Sequence, residues 1–350
     1  MNNGYFWRVR KQTATNFWVN NVTLEQAKLG LEAGAVGCTQ NPAYLSKVVG
    51  KSTDAADVDA MLKEILADEK DDAEALAKLQ IRQINRIAEL FLPLYEETDG
   101  KEGYVSIQAD PFKENTADIL RFAHMAREKY PNIICKIPVV KEALPALEQL
   151  IKERVPILAT EVMSVSQAIA LNELYNRASK GVKDPAPVFI AHIAGIFDEQ
   201  LQADVKDNNI DVSRDALWQA GISVAKKIKG AYDAKQSKIR FMDGGARGLH
   251  HFTEMVGVRG YVTINYKGTA DKLLEEDPVV IDRFSAPVAP TVIDELLVKV
   301  PNYRKAWMPD GLKVEEFESF PPVVRFRTQF ENGWKAGLEY VRNFRAENNL

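Results

Sequence analysis

Eight short, apolar, β-branched runs recur along this chain. Most are followed by a segment whose apolar residues fall at helical spacing, and this alternation limits the fold more than any other feature. The strand-like runs are FWVNNV (17–22), AVGCTQN (35–41), YVSIQAD (104–110), IICKIPV (133–139), PILATEV (156–162), PVFIAHIAG (187–195), KIRFMDGG (238–245) and YVTINY (261–266). Between the second and third lies a charged stretch, TDAADVDAMLKEILADEKDDAEALAKLQIRQINRIAELFLPLYEE, whose periodicity predicts two or three helices. Strands that alternate with helices run parallel, because each helix is the crossover that returns the chain to the same end of the sheet. Eight such units within roughly the first 275 residues is the count of a closed (β/α)8 barrel, here a TIM barrel with extra helices. The rival, an open doubly wound sheet, would be favoured by a glycine-rich phosphate turn after an early strand. Neither GxGxxG nor GxxxxGK[ST] occurs. The barrel is expected to occupy residues 1–276. Residues 277–350, rich in proline and aromatics and ending in the helical TQFENGWKAGLEYVRNFRAENN, are expected to form a C-terminal extension packed on the barrel or on a neighbouring subunit.

Composition narrows the function classes. The 350 residues are 46% hydrophobic and 27% charged, ordinary for a soluble chain with a large core. The net charge of −4 is spread along the sequence, which speaks against a nucleic-acid or anionic-membrane surface. No apolar stretch approaches the roughly 20 residues of a membrane span, and the N-terminus lacks a signal-peptide core. Cys38 and Cys135 each lie in an apolar run and read as core residues in a reducing, cytoplasmic compartment. His250 and His251 are adjacent and should diverge on a helix, and His124 belongs to a surface helix, so no metal site and no cofactor are expected.

The residue that stands out is Lys136, in the middle of IICKIPV. Lysine is almost never fully buried without a partner or a purpose. Strand residues of a barrel alternate between interior and helix layer, so Lys136 points inward if Cys135 and Ile137 point outward. A dry interior disfavours the charged amine, and a neutral amine can attack a ketone or aldehyde to form a Schiff base. The bland alternative is an inward lysine paired with an acid, or a lysine on an edge strand.

An ordered series of segments around Lys136 resembles the transaldolase family, which includes the fructose-6-phosphate aldolases. KIP, with the helix EALPALEQLIKER and the strand ILAT after it, matches the family's Schiff-base strand and its successor, ending in Thr160. GCTQNPAYL (37–45) is similar to the TTNPS segment and places its asparagine at Asn41. SVSQA (164–168) matches a small-residue stretch with Gln167, FIAHIAGIFDE (189–199) resembles the sixth-strand segment, and MDGGARG (242–248) resembles GASFR with its arginine at Arg247. VTINY resembles the eighth-strand LTIAP, and the likeness spans roughly residues 17–275.

The resemblance implies a divergent member. The family's first-strand aspartate aligns with Asn20, which cannot act as a base, and its third-strand glutamate aligns with Gln108. Of two basic phosphate ligands one aligns with Ile196, leaving Arg247, so a sulfonated or unphosphorylated sugar is expected in place of a sugar phosphate. A tail residue such as Arg304 or Lys305 is the alternative second cation. Alternation gives Asp243 and Asp110 the parity to replace the missing acid, and turns His192 and Glu161 toward the helices. Gln108 and Thr160 could instead hold a relaying water. The expected catalytic set is therefore Lys136, Gln108, Thr160 and Asp243, with Asn20, Asn41, Gln167, His192 and Arg247 as substrate-binding residues. The implied activity is transfer of a dihydroxyacetone unit from a ketose to an aldose, on a ketose such as 6-deoxy-6-sulfofructose. The alternatives are an aldolase releasing dihydroxyacetone, a barrel lyase with another Schiff-base substrate such as a deoxysugar acid, and a non-catalytic barrel-fold binding protein. Small-molecule sugars are the expected partners, and a homo-oligomer the expected assembly.

Overall fold

The computed structural model describes residues 3–44 and 54–350. Leu45, at the end of GCTQNPAYL, and Thr53, at the start of the long helical stretch, lie outside the described residues. Eight parallel strands close in sequence order: β1 (Thr15–Asn20), β2 (Gly37–Thr39), β3 (Tyr104–Gln108), β4 (Ile133–Pro138), β5 (Ile157–Val162), β6 (Val188–His192), β7 (Arg240–Asp243) and β8 (Gly260–Asn265). β1 pairs with both β2 and β8, which completes the (β/α)8 barrel and leaves no sheet edge. β1 starts two residues before the expected run and stops at Asn20, because Asn21 turns into the left-handed region (φ 47°).

The described helices are α1 (Tyr5–Gln12), α2 (Leu24–Glu32), α3 (Ala55–Asp68), α4 (Asp72–Glu97), α5 (Thr116–Arg127), α6 (Leu144–Lys152), α7 (Val165–Ala178), α8 (Ala194–Asp207), α9 (Arg214–Ala234), α10 (His250–Thr253), α11 (Asp271–Glu276), α12 (Pro290–Lys299), α13 (Pro301–Trp307) and α14 (Pro321–Glu347). The long charged stretch makes two of them. α3 ends at Asp68, and Asp71 caps α4 by accepting hydrogen bonds from the amides of Ala73 and Glu74. Among the described residues no helix is long and apolar enough to cross a membrane.

Inside the barrel, side chains stack in layers. The layer nearest the N-terminal ends of the strands is aromatic. Trp18, Tyr104, Phe189 and Tyr261 meet at centroid distances of 5.4–5.7 Å and close that end. Further along the strands the interior becomes more polar, with Lys136 level with Gln108, four residues past Tyr104 on β3, and with the apolar Leu158 on β5. The polar layer thus opens only toward the C-terminal ends of the strands, and there α14 crosses the mouth. Its close approach depends on Gly333. A Cβ there would stand 2.7 Å from Ala43 Cα and 3.1 Å from the Pro42 carbonyl oxygen, both main-chain atoms that cannot move aside. Trp334 is fully buried beside it.

Candidate active site

Lys136 is 5% exposed and reaches a cavity of about 200 Å³ at the mouth of the barrel. One wall carries amides and hydroxyls: Asn20, Thr39, Asn41, Thr263 and Asn265. Asn20 donates to Asn265 Oδ1 (3.0 Å) and accepts from Thr39 Oγ1 (2.8 Å), and Thr39 also bonds Thr263 (2.6 Å). The opposite wall is apolar, with Leu158, Ala191, Ile193 and Met242. The roof comes from α14, whose Phe326 and Phe330 rings lie 5.3 and 5.2 Å from Lys136 Nζ. These two are i,i+4 neighbours on one helix face. Burial lowers the Lys136 amine to about 8, against the opposing pull of the Glu161 charge. The ring faces attract whatever cation the nitrogen carries, ammonium or iminium.

Glu161 is the site's main departure from the alternation rule. β5 does not end at Thr160. It continues to Val162 with a register shift between Ala159 and Val162, and Glu161 takes φ 58°. This bulge inserts one residue into the strand, so the carboxylate turns to the face that the rule assigns to Thr160. Glu161 Oε1 accepts from Gln108 Nε2 at 3.2 Å, and Oε2 lies 3.9 Å from Arg327 Nε on α14. Arg327 also meets Glu114 (3.2 Å) and Glu318 (2.9 Å). Burial raises Glu161 above the ordinary carboxylate range, opposed by Arg327 and Lys136. Burial raises Glu114 too, and the charge of Glu161 adds to the effect.

The remaining expected residues divide. Asn20, Asn41 and Arg247 line the cavity with Lys136, while Gln108, level with Lys136 on β3, is bonded to Glu161 and does not line it. Thr160 is fully buried on the Lys136 side of the sheet, level with Pro138, and its hydroxyl has no partner among the described residues. Gln167 does not reach the cavity. Its Nε2 donates to the carbonyls of Glu161 (2.9 Å) and Val139 (3.0 Å), and its Oε1 accepts from Met163 N (2.9 Å), so it clamps the bulge. Asp243 faces away from Lys136. Met242 holds the inward position, β7 ends at Asp243, and Gly245 enters the cavity wall only through a left-handed turn (φ 70°), so parity does not carry from Gly245 back to Asp243. The Asp243 carboxylate lies near the main-chain amides of Ala194 and Gly244, and burial raises it well above the carboxylate range. Asp110, past the end of β3, accepts from Phe112 N. His192 faces the helices, with its ring nitrogens against the carbonyls of Val162 (2.8 Å) and Gly221 (3.2 Å).

Arg247 is not a free cation. Its Nε and Nη2 grip Glu199 of α8 at 2.5 and 3.3 Å, and Nη2 also reaches Gln329 on α14 (3.4 Å). The tail supplies no second cation in the way expected, because Arg304 donates to the carbonyls of Leu297 and Val298 at the end of α12, and Lys305 is exposed and does not line the cavity. Nor do His250 and His251 diverge. Their rings stand 4.0 Å apart, and with Asp198 their ligand-type atoms converge within 4.8 Å. Both nitrogens of His251 are engaged, Nε2 with Asp198 (3.0 Å) and Nδ1 with Arg247 N (3.3 Å), while Asp198 Oδ1 accepts from Gly221 N. The group braces the loop that carries Arg247.

Sequence reasoning did not find Glu114, Phe326, Arg327, Gln329 or Phe330. The one available signal was the FRTQF segment, where aromatic and basic residues share a helix face.

Comparisons with known proteins show the family. The model of the transaldolase/fructose-6-phosphate aldolase family matches residues 17–299, and so continues past the barrel into the tail. Similar curated proteins include a transaldolase of Trichodesmium erythraeum, 28% identical over 58% of this chain and 58% of its own length. Another is a transaldolase of Thiobacillus denitrificans, 27% identical over 62% and 64%. A third, of Saccharopolyspora erythraea, is 27% identical over 63% and 61%. The chain therefore spans about six tenths of the length of the relatives it matches.

Proposed function

Because the chain belongs to the transaldolase/fructose-6-phosphate aldolase family, we propose that it moves a dihydroxyacetone unit from a ketose to an aldose through a Schiff base on Lys136. The observation that carries this reading is the buried, inward amine of Lys136 in a cavity with hydroxyl-binding groups on one side and two phenyl rings on the other. Lys136 Nζ attacks the ketose carbonyl carbon, and the carbinolamine loses water to give the iminium. The C3–C4 bond then breaks as the C4 hydroxyl gives up its proton and an aldehyde departs; the bonding pair becomes the C2=C3 double bond of the enamine, and the C=N pair moves onto the nitrogen. Asn20 and Asn41, which line the cavity, hold hydroxyls of the three-carbon unit in this reading. The Phe326–Phe330 roof excludes water from the enamine, which favours capture by a second aldehyde over protonation and release.

At the distal end, the pairing of Arg247 with Glu199 leaves little net positive charge for a dianionic phosphate. A ketose ending in a hydroxyl, or in a single weak anion such as the sulfonate of 6-deoxy-6-sulfofructose, fits this end better. The test is a transfer assay with carbon-13 ketose donors that differ only at C6 (hydroxyl, sulfonate, phosphate), each with an unlabelled aldose acceptor. A new labelled ketose, formed faster from the hydroxyl or sulfonate donor, is expected. Labelled dihydroxyacetone alone would make the protein an aldolase, and preference for the phosphate would overturn the substrate reading.

A further inference from the structure

We propose that Glu161 is the group that gives and takes the proton at the Lys136 adduct, and that Arg327, carried in on α14, is the positioning residue that holds it ready. The inference rests on the Schiff-base reading above. The chemistry needs an acid to carry off the carbinolamine hydroxyl as water and a base for the C4 hydroxyl. Among the described residues lining the cavity there is no carboxylate. Asn20 and Gln108 are amides, and Asp243 is turned to the helix layer. Glu161 is on β5, the strand next to that of Lys136, and its charge acts on the amine.

The backbone is arranged to put it there. A left-handed φ at a glutamate is costly, on the order of 1 kcal/mol or more, and persists only where its surroundings enforce it. Gln167 does so by holding the Glu161 carbonyl and the two neighbouring segments with its one amide. The side chain is fully buried and bonded through one oxygen to Gln108; Oε2 accepts no hydrogen bond among the described residues and has only the 3.9 Å ion pair to Arg327. Gln108 Oε1 and Thr160 Oγ1, also buried and without a partner among the described residues, lie on the same side of the sheet as Lys136. Buried polar atoms are almost always hydrogen-bonded, so this unpaired capacity beside a nucleophile suits a substrate hydroxyl.

Burial dominates the protonation of Glu161, and the charges around it modulate it. Lys136 faces it from β4, Arg327 from α14, Glu114 from the β3–α5 connection and Glu318 from the segment before α14, while Glu331 on α14 acts on Glu114. Three carboxylates, Glu161, Glu114 and Glu318, share the single guanidinium of Arg327. Burial keeps a proton available at Glu161 against the pull of Arg327, Lys136 and the Gln108 hydrogen bond, with the charge of Glu318 adding to it, as an acid–base group working near neutral pH requires. Glu161 donates its proton to the carbinolamine hydroxyl, which leaves as water, giving the iminium and the carboxylate. The carboxylate then takes the C4 hydroxyl proton as C3–C4 breaks, and the reverse sequence adds the acceptor. Since Phe326, Arg327 and Phe330 share one helix, docking of α14 both dries the site and sets its proton donor.

The test uses the full chain in Glu161→Gln, Arg327→Met and Arg327→Lys, with wild type read first for borohydride-trapped adduct. Without a wild-type adduct, the Schiff-base reading fails and this inference with it. With one, Glu161→Gln should still accumulate adduct on long incubation while kcat falls by about 10²–10⁴. Arg327→Met should move the optimum of the kcat/KM–pH profile upward, because loss of the cation lets the Glu161 carboxyl hold its proton to higher pH, and Arg327→Lys should restore it. Turnover of Glu161→Gln within about threefold of wild type, or an optimum that Arg327→Met leaves in place, would overturn the assignment.

Discussion

At Lys136, nucleophilicity and instability have the same origin. A side chain walled off by Leu158, Phe326 and Phe330 holds its proton less tightly in the folded chain, at about 8, than the ordinary 10.5. At and below pH 8 the buried charge therefore lowers stability. The penalty fades as pH rises from about 8 toward 10.5, where the folded chain is already neutral and the unfolded chain is not. Lys136→Met should raise the melting temperature by a few degrees at pH 7, equivalent to about 3 kcal/mol, a figure that already includes the lost attraction to Glu161. That gain should shrink toward pH 10, and a constant or growing gain would contradict a depressed amine. Lys136 was legible in sequence because a charge in an apolar, β-branched run is conspicuous. Glu161 was not, because one inserted residue in a strand reverses every inward–outward assignment beyond it, and nothing in ILATEV marks the insertion. Asp243 was misplaced for a related reason, since alternation holds only within a strand and β7 had ended.

Among the elements, α14 has the largest share in shaping the site. Its helical periodicity is plain in the sequence, but its docking place depends on contacts with residues nearly 300 positions away, such as Gly333 against Pro42 and Ala43. Side-chain bulk at Gly333 cannot be absorbed by a flexible neighbour. Gly333→Val should lift the middle of the helix at a cost of about 1–3 kcal/mol, lowering kcat and the ratio of transferred to released dihydroxyacetone while leaving the far-UV circular dichroism of the barrel intact. An unchanged ratio in a folded Gly333→Val protein would show that the roof does not protect the enamine.

For the whole molecule, the barrel follows from order alone. Eight strand-like runs, helical crossovers and no phosphate turn leave a closed parallel barrel as the economical fold, and the strands close in that order. The two ends then differ by composition. Aromatic side chains fill the interior toward the N-terminal ends of the strands, while amides, hydroxyls and one lysine occupy the other end, where barrels of this kind carry their chemistry. The central claim is that this end presents Lys136 as an electrophile-capturing amine. Incubation with dihydroxyacetone or a ketose, reduction with borohydride and weighing of the intact chain test it directly. The account predicts a mass gain equal to the reduced adduct, mapped to Lys136 and absent in Lys136→Ala; an unmodified wild-type chain, or an adduct that survives the Lys136→Ala substitution, would contradict it.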